Sequence, residues 1–136
     1  MTFLQLLSVY LFTLATFFII DMIWLGAVAS KFYQKNLKEV IDLDFKIGPA
    51  VLFYVIFVLG LFIFVIEPAY RISDFSNAGI YGGLFGLIAY ATYDLTNLST
   101  IKKWPLKLVV IDIIWGAILG ALTSLIGYFF FNLIIK

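Results

Sequence analysis

Two residue types are missing from this chain of 136 residues, and their absence excludes several classes of function. There is no cysteine, which excludes disulfides, thiolate metal sites and redox-active thiol pairs. There is no histidine, the commonest proton shuttle and metal ligand in proteins. Charged residues make up only 12% of the chain and the net charge is +1, so no basic run indicates a nucleic-acid partner. Any chemistry would therefore depend on aspartate and tyrosine side chains.

The absence of these residue types also argues against a cofactor. Without histidine there is no ordinary haem ligand, and no lysine lies inside an apolar run where it could form a retinal-type Schiff base. Three aspartates lie in separate apolar runs and lack the spacing of a metal-binding motif. We therefore expect neither a metal nor a cofactor.

Apolar residues are abundant and place the chain in a membrane. They make up 64% of it, against about 45–50% in soluble domains, and so short a chain could not bury them all. A membrane-spanning helix needs roughly 20 apolar residues. The sequence predicts an all-α integral membrane protein, a single four-helix transmembrane domain over residues 1–136. Its spans are expected at about 3–29, 47–67, 78–98 and 106–134.

Lysine and arginine positions predict the orientation, because cytoplasmic loops carry an excess of these residues. The first and third loops contain Lys31, Lys35, Lys38, Lys46, Lys102, Lys103 and Lys107, whereas the opposite side has Arg71 and Lys136. This favours a multi-pass protein with both termini outside the cytoplasm, which is the periplasmic side if the membrane is a bacterial inner membrane. Dual topology is the alternative.

A repeated Asp-x-x-Trp motif occurs in the first and fourth spans, at Asp21 to Trp24 and Asp112 to Trp115. Residues three apart share one face of a helix. Because the two spans run in opposite directions, Asp21 should be level with Trp115, and Trp24 with Asp112. If the spans are adjacent, each indole N–H is predicted to donate a hydrogen bond to the carboxylate of the other helix.

A third polar cluster, YDLTN at residues 93–97, ends the third span, with Tyr90 one turn earlier. Carboxylates from three helices should therefore meet in the cytoplasmic half of the bundle. Ionisable residues inside a membrane are functional-site hypotheses by default, although they can also be helix caps or structural partners, and the tryptophans can be part of an aromatic belt. The predicted ligand-binding residues are Asp21, Trp24, Tyr90, Tyr93, Asp94, Asn97, Asp112 and Trp115.

Small residues recur every third or fourth position in the third and fourth spans. Such faces let helix backbones approach closely within a membrane. They predict close packing of these two spans inside one bundle, with a homodimer contact as the alternative. The predicted helix-packing residues are Gly79, Gly82, Gly83, Gly86, Gly116 and Gly120.

Several of these motifs together resemble a known family of small bacterial membrane proteins, domain-of-unknown-function family 2177. The resemblance covers nearly the whole chain and implies a four-helix integral membrane protein with no established activity. It also carries an expectation that relatives act near lipid modification. The landmarks are DMIWLG at 21–26, FY at 32–33 and 53–54, PA at 68–69, YATYDLTN at 90–97, WP at 104–105 and DIIWG at 112–116.

Three functions follow as hypotheses. The first is a pocket that binds or moves a small cationic or amphiphilic ligand, with proton coupling as a variant, because burial disfavours a charged carboxylate. The second is a lipid-modifying enzyme or accessory subunit, although without histidine, cysteine or a nucleotide-binding loop the balance is against an enzyme. The third is a structural assembly partner. Expected partners are membrane lipid, a small-molecule ligand and a second copy of the chain, and no nucleic acid.

Overall fold

The computed structural model describes residues 1–38 and 46–135. The first helical segment consists of α1 (Phe3–Trp24), a π-helical stretch (Leu25–Ala29) and α2 (Ser30–Leu37). It begins at a capping box, in which the Thr2 hydroxyl accepts from the Gln5 backbone N–H and the Gln5 side chain accepts from that of Thr2. Over 35 residues it is about 52 Å long, which exceeds the roughly 30 Å of a bilayer core.

The second segment has the same composite form. It consists of α3 (Ile47–Leu61), a π-helical stretch (Phe62–Ile66) and α4 (Glu67–Arg71). A turn follows in which Ser73 has φ 54°, and Asp74 then caps the next helix by accepting from the Asn77 N–H at 3.1 Å. Helix α5 (Phe75–Thr100) and helix α6 (Leu106–Ile134) complete the bundle. Lys136, which entered the orientation prediction, lies outside the described residues.

The described residues form helices without strands, which confirms the prediction of an all-α membrane bundle. Three helical segments, Phe3–Leu37, Ile47–Arg71 and Leu106–Ile134, are long and apolar enough to cross a membrane. Helix α5 is long enough but less apolar, since it carries the glycines and the YDLTN cluster. Its polar and small residues Gly82, Gly86 and Asp94 are buried inside the bundle rather than turned outward.

Helices α5 and α6 form the largest helix–helix interface of the structure, and glycines lie at its centre. A Cβ atom added to Gly86 would collide with the carbonyl oxygen of Gly116, and one added to Gly120 would collide with that of Gly82. A Cβ atom added to Gly79 would lie 3.1 Å from the Leu125 side chain, which is a tight contact, whereas one added to Gly83 would meet Ala117 and Ala121 at an ordinary 3.5 Å. These glycine faces are occupied within one chain. A homodimer remains a prediction, and it would need another surface.

The second segment is attached unevenly. Its π-helical stretch and α4 pack against α5 and α6, whereas α3 packs mainly against α1 and has at most marginal backbone contact with α5 and α6. The end of the bundle toward which α3 diverges carries the first and third loops, because Leu37 of α2 packs there with Trp104 and Leu108. We call this the basic-loop end, after the lysines of those two loops.

Candidate functional site

Asp21, near the end of α1, connects three helices through its carboxylate. The side chain is only 5% exposed. It accepts a hydrogen bond from the Tyr54 hydroxyl of α3, and a second one, at 3.2 Å, from the Trp115 indole N–H of α6. These bonds compensate part of the cost of removing a carboxylate from water. Asp21 therefore fixes the basic-loop end of α3, which has little backbone contact with α6.

Asp112, two turns into α6, is 8% exposed and accepts a hydrogen bond from the Tyr33 hydroxyl. Tyr33 belongs to α2, beyond the π-helical stretch Leu25–Ala29. Such stretches shift the face that the following residues present, and they are frequent at functional sites. The apolar side of α2 packs with Trp104 and Leu108, which holds Tyr33 near Asp112.

One of the two predicted indole–carboxylate bonds is confirmed and the other is wrong. Trp115 donates to Asp21 as predicted, but the Trp24 indole N–H is buried and has no hydrogen-bond partner within the described part of the chain. The two indole rings stack instead, with centroids 4.3 Å apart and planes 7° apart. An indole N–H donates in its ring plane, and stacking fixes that plane for Trp24. The Tyr33 hydroxyl lies close to Trp24, and it donates a hydrogen bond to Asp112 where the Trp24 N–H was predicted to donate one.

Asp94, the deepest-buried of the three carboxyl groups, has an exposed fraction of 0%. Among the described residues, neither of its oxygens has a hydrogen-bond partner of good geometry. The Asp112 carboxyl group and the Trp104 indole interact with it electrostatically. The Trp104 N–H is likewise buried and unpartnered. Two carboxyl groups thus lie side by side, and within residues 1–38 and 46–135 no group satisfies the buried polar atoms around them.

Tyr90 of α5 lies between the two carboxylate clusters and interacts electrostatically with both Asp21 and Asp112. Its ring packs edge-on against Phe53 and Phe57 of α3, with centroids 6.3 and 6.2 Å away. The opposite side of the ring lies on Gly116, where an added Cβ would come within 2.7 Å of the Tyr90 Cβ. The helix-packing glycine therefore also creates the space that Tyr90 occupies.

Tyr93 and Asn97 lie toward the rim. Tyr93 is 56% exposed, and its ring meets that of Trp104 edge-on at 6.1 Å. Asn97 is partly buried beside Tyr93, and its backbone carbonyl accepts the Ile101 N–H at 2.8 Å where α5 ends. The Thr96 hydroxyl bonds the Thr92 carbonyl at 2.6 Å. The Thr96 hydroxyl thus bonds one turn back along the helix rather than to one of its last carbonyls, and the capping role that the structural alternative gave to the YDLTN side chains stays a prediction.

A cavity of about 480 Å³ opens beside these groups. Its walls come from α3, α5 and α6, and they are mostly aromatic and aliphatic, with the Asp112 carboxylate as the charged group. Of the predicted ligand-binding residues, Tyr90, Tyr93 and Asp112 line it. Asp21, Trp24, Asp94, Asn97 and Trp115 lie outside its lining. The lining residues are Phe53, Ala89, Tyr90, Thr92, Tyr93 and Asp112.

The sequence prediction missed three aromatic side chains. Tyr33 and Tyr54 donate to the two carboxylates, and Phe53 forms part of the cavity wall. The signal was present in the two Phe-Tyr pairs at 32–33 and 53–54, which are landmarks of the family resemblance. Since tyrosine is common near the ends of membrane helices, the sequence alone did not distinguish a carboxylate partner from an interfacial residue.

The three aspartates do not form a metal site of the usual kind. Across residues 1–38 and 46–135 no three acidic, histidine or cysteine side chains lie close enough together to hold an ion. The arrangement is instead a pair of linked clusters, one around Asp21 and one around Asp112 and Asp94, with Tyr90 between them. Asp21 and Asp112 are near enough to interact electrostatically. Chemically, the site can attract a cation or exchange a proton.

Comparison with known proteins identifies the family. The model of the family described as "Predicted membrane protein (DUF2177)" matches residues 6–129. The chain belongs to this family. The family resemblance inferred from the YDLTN and Asp-x-x-Trp motifs is thereby confirmed, and membership of DUF2177 identifies a membrane protein without assigning an activity. No curated protein and no solved structure matches the chain significantly.

Proposed function

We propose that this protein binds or moves a small cationic or amphiphilic ligand in a polar pocket of its cytoplasmic half. The observation that carries the proposal is the pair of neighbouring buried carboxyl groups, Asp94 and Asp112, of which Asp112 lines a cavity. Two neighbouring carboxylates repel each other and are costly to bury. A cation in the cavity, or a proton, reduces both costs.

The chemistry of the hydrogen-bond donors supports this proposal. The groups that bond Asp21 and Asp112 are tyrosine hydroxyls and an indole N–H, which are neutral donors rather than lysine or arginine. Neutral donors stabilise a carboxylate without cancelling its charge, so the site keeps a negative potential in a medium of low dielectric constant. That potential favours positively charged ligands over neutral or anionic ones.

The orientation is part of the proposal. With the first and third loops in the cytoplasm, the site opens on the cytoplasmic side of the inner membrane and both termini are periplasmic. The lysines of those loops support this sidedness. Membrane lipid is then the surrounding solvent, and the ligand reaches the site from the cytoplasm or from the inner leaflet.

A binding experiment tests the proposal directly. Purified protein in lipid nanodiscs is titrated with tetramethylammonium while tryptophan fluorescence is recorded, since Trp104 packs edge-on against Tyr93 of the cavity wall. We expect saturable binding that is lost in Asp112→Asn. Asp74→Asn is the matched control, because this exposed carboxylate caps α5 at its first turn, far along the helix from YDLTN, and asparagine caps equally well. A flat titration, or equal binding by Asp112→Asn, would contradict the proposal.

A lipid-modifying activity is the second candidate, because adjacent carboxyl groups can serve as acid and base. Asp94 and Asp112 form such a pair. The lipid composition of a deletion strain distinguishes the two candidates. A specific lipid change that is restored by the wild-type chain, but not by Asp94→Asn, favours the enzyme, and an unchanged lipid composition counts against it.

A further inference from the structure

We infer that the ligand is an alkylammonium amphiphile, which enters the cavity sideways from the bilayer through the gap between α3 and α5. This inference rests on the proposed function and adds two features to it, the chemical class of the ligand and its route. The walls of the cavity, the divergence of α3 and the depth at which the charged and apolar walls lie support it.

The walls have the composition that recognises an organic ammonium group. Aromatic rings attract cations within about 6 Å of the ring centroid, and quaternary ammonium ligands are characteristically held by aromatic cages. Phe53, Tyr90 and Tyr93 provide the rings, and Asp112 provides the charge. A hydrated inorganic cation would gain little from these rings. A neutral amphiphile would leave the carboxylate uncompensated.

The gap beside the cavity leads to lipid rather than to the inside of the bundle. Near Tyr90, α3 and α5 are joined by aromatic side chains, since their backbones have at most marginal contact there. At the edges of the gap, Phe53 is 44% exposed and Tyr93 is 56% exposed. Both residues lie in helices that we place within the membrane. The exposed rim of the cavity therefore faces acyl chains.

The depth of the walls matches a molecule with a polar head and an apolar tail. Asp112 and Tyr93 lie toward the basic-loop end, and Ala89 lies one helical turn deeper in the bundle. An ammonium head at Asp112 thus leaves its tail running past Ala89 toward the bilayer centre. The volume of about 480 Å³ is within the roughly 300–1,000 Å³ of small-molecule pockets.

Substitution of Ala89 distinguishes the contribution of the ligand's alkyl tail to binding from that of its ammonium head. In nanodiscs, wild type and variants are titrated with dodecyltrimethylammonium, tetramethylammonium and the neutral probe dodecanol, again with tryptophan fluorescence as the readout. Ala89→Leu fills the deep wall, and we expect it to weaken binding of the dodecyl cation by about tenfold and to leave tetramethylammonium unchanged. Asp112→Asn should weaken both cations.

The control is Ala15→Leu, the same substitution in a separate apolar groove between α1 and α3, which should change neither affinity. Should Ala89→Leu fail to fold, Phe53→Ala removes the opposite wall and is expected to weaken both cations. The inference is overturned if dodecanol binds as tightly as the dodecyl cation, or if Ala89→Leu folds and affects neither cation. If Ala89→Leu affects neither cation but tetramethylammonium still binds in a way that depends on Asp112, the proposed function stands and only this inference fails. If no cation binds to any of the proteins, the proposed function and this inference both fail.

Discussion

The bond between Tyr54 and Asp21 gives the sharpest test of the site, because through Asp21 it connects α3 to Trp115 of α6, a helix with which α3 has at most marginal backbone contact. Tyr54→Phe removes only the hydroxyl and leaves the buried carboxylate with the Trp115 N–H as its remaining donor. Loss of a hydrogen bond to a charged group costs about 1.5–3 kcal/mol in general. Within membranes, side-chain hydrogen bonds average about 0.6 and reach about 1.7 kcal/mol. We expect Tyr54→Phe to lower the free energy of unfolding by about 1–2 kcal/mol.

A double-mutant cycle isolates the bond from other effects of each substitution. Asp21→Ala and Tyr54→Phe are made singly and together, and unfolding is followed by denaturant titration in mixed micelles. The coupling energy should be about 0.6–1.7 kcal/mol. The chain supplies its own control, since Tyr33 bonds Asp112 in the same way.

The crossed cycles decide the outcome. Tyr33 with Asp112 should couple like Tyr54 with Asp21, whereas Tyr54 with Asp112 and Tyr33 with Asp21 should couple only weakly. A coupling energy near zero for Tyr54 with Asp21 would refute the assigned pairing. Equal coupling in all four cycles would mean that the clusters act as one diffuse network, and the two-cluster description would be wrong.

Three further predictions concern packing and orientation. Gly86→Ala should destabilise the bundle by about 1–3 kcal/mol in the same titration, because the added Cβ collides with a backbone carbonyl. Gly83→Ala, whose Cβ meets its neighbours at ordinary distances, should change stability by less than about 1 kcal/mol. Equal effects of the two substitutions would contradict the close approach of α5 and α6. Trp24→Phe should remove the near-ultraviolet circular dichroism of the stacked indoles, and an unchanged spectrum would mean that the rings are not stacked. The chain has no cysteine, so a single cysteine at Ser73 should react with an impermeant thiol reagent in intact cells and one at Lys102 only after permeabilisation. The reverse labelling would invert the orientation, and labelling of both would indicate dual topology.

The membrane fold was predictable because it depends on quantities that add along the chain. Apolar runs such as 47–66 exceed the length needed to cross a bilayer, and glycines spaced by helical periodicity predict a closely packed face. The same periodicity placed Asp21 level with Trp115, and the bond between them is present. This success needed only the rise per residue and the alternation of helix direction.

The partners of the carboxylates were less predictable. The bond from Trp24 to Asp112 was expected from depth alone, but two groups at the same depth can stack as well as bond, and side-chain direction decides between them. The π-helical stretch Leu25–Ala29 changes that direction and has no clear signature in an apolar sequence. Tyr33 consequently reaches Asp112, and the Trp24 indole lies on Trp115.

The sequence by itself determined that this chain lies in a membrane, that it is helical, and that its carboxylates gather at one end. Hydropathy and helical rise are local properties, and they need no knowledge of neighbours. Only the tertiary structure decided that Asp94 lies beside Asp112, that two tyrosines and one tryptophan bond the other carboxylates, and that α3 diverges to leave a cavity. Each of these depends on how far one helix stands from another and on which way it is turned, and a linear pattern does not record either.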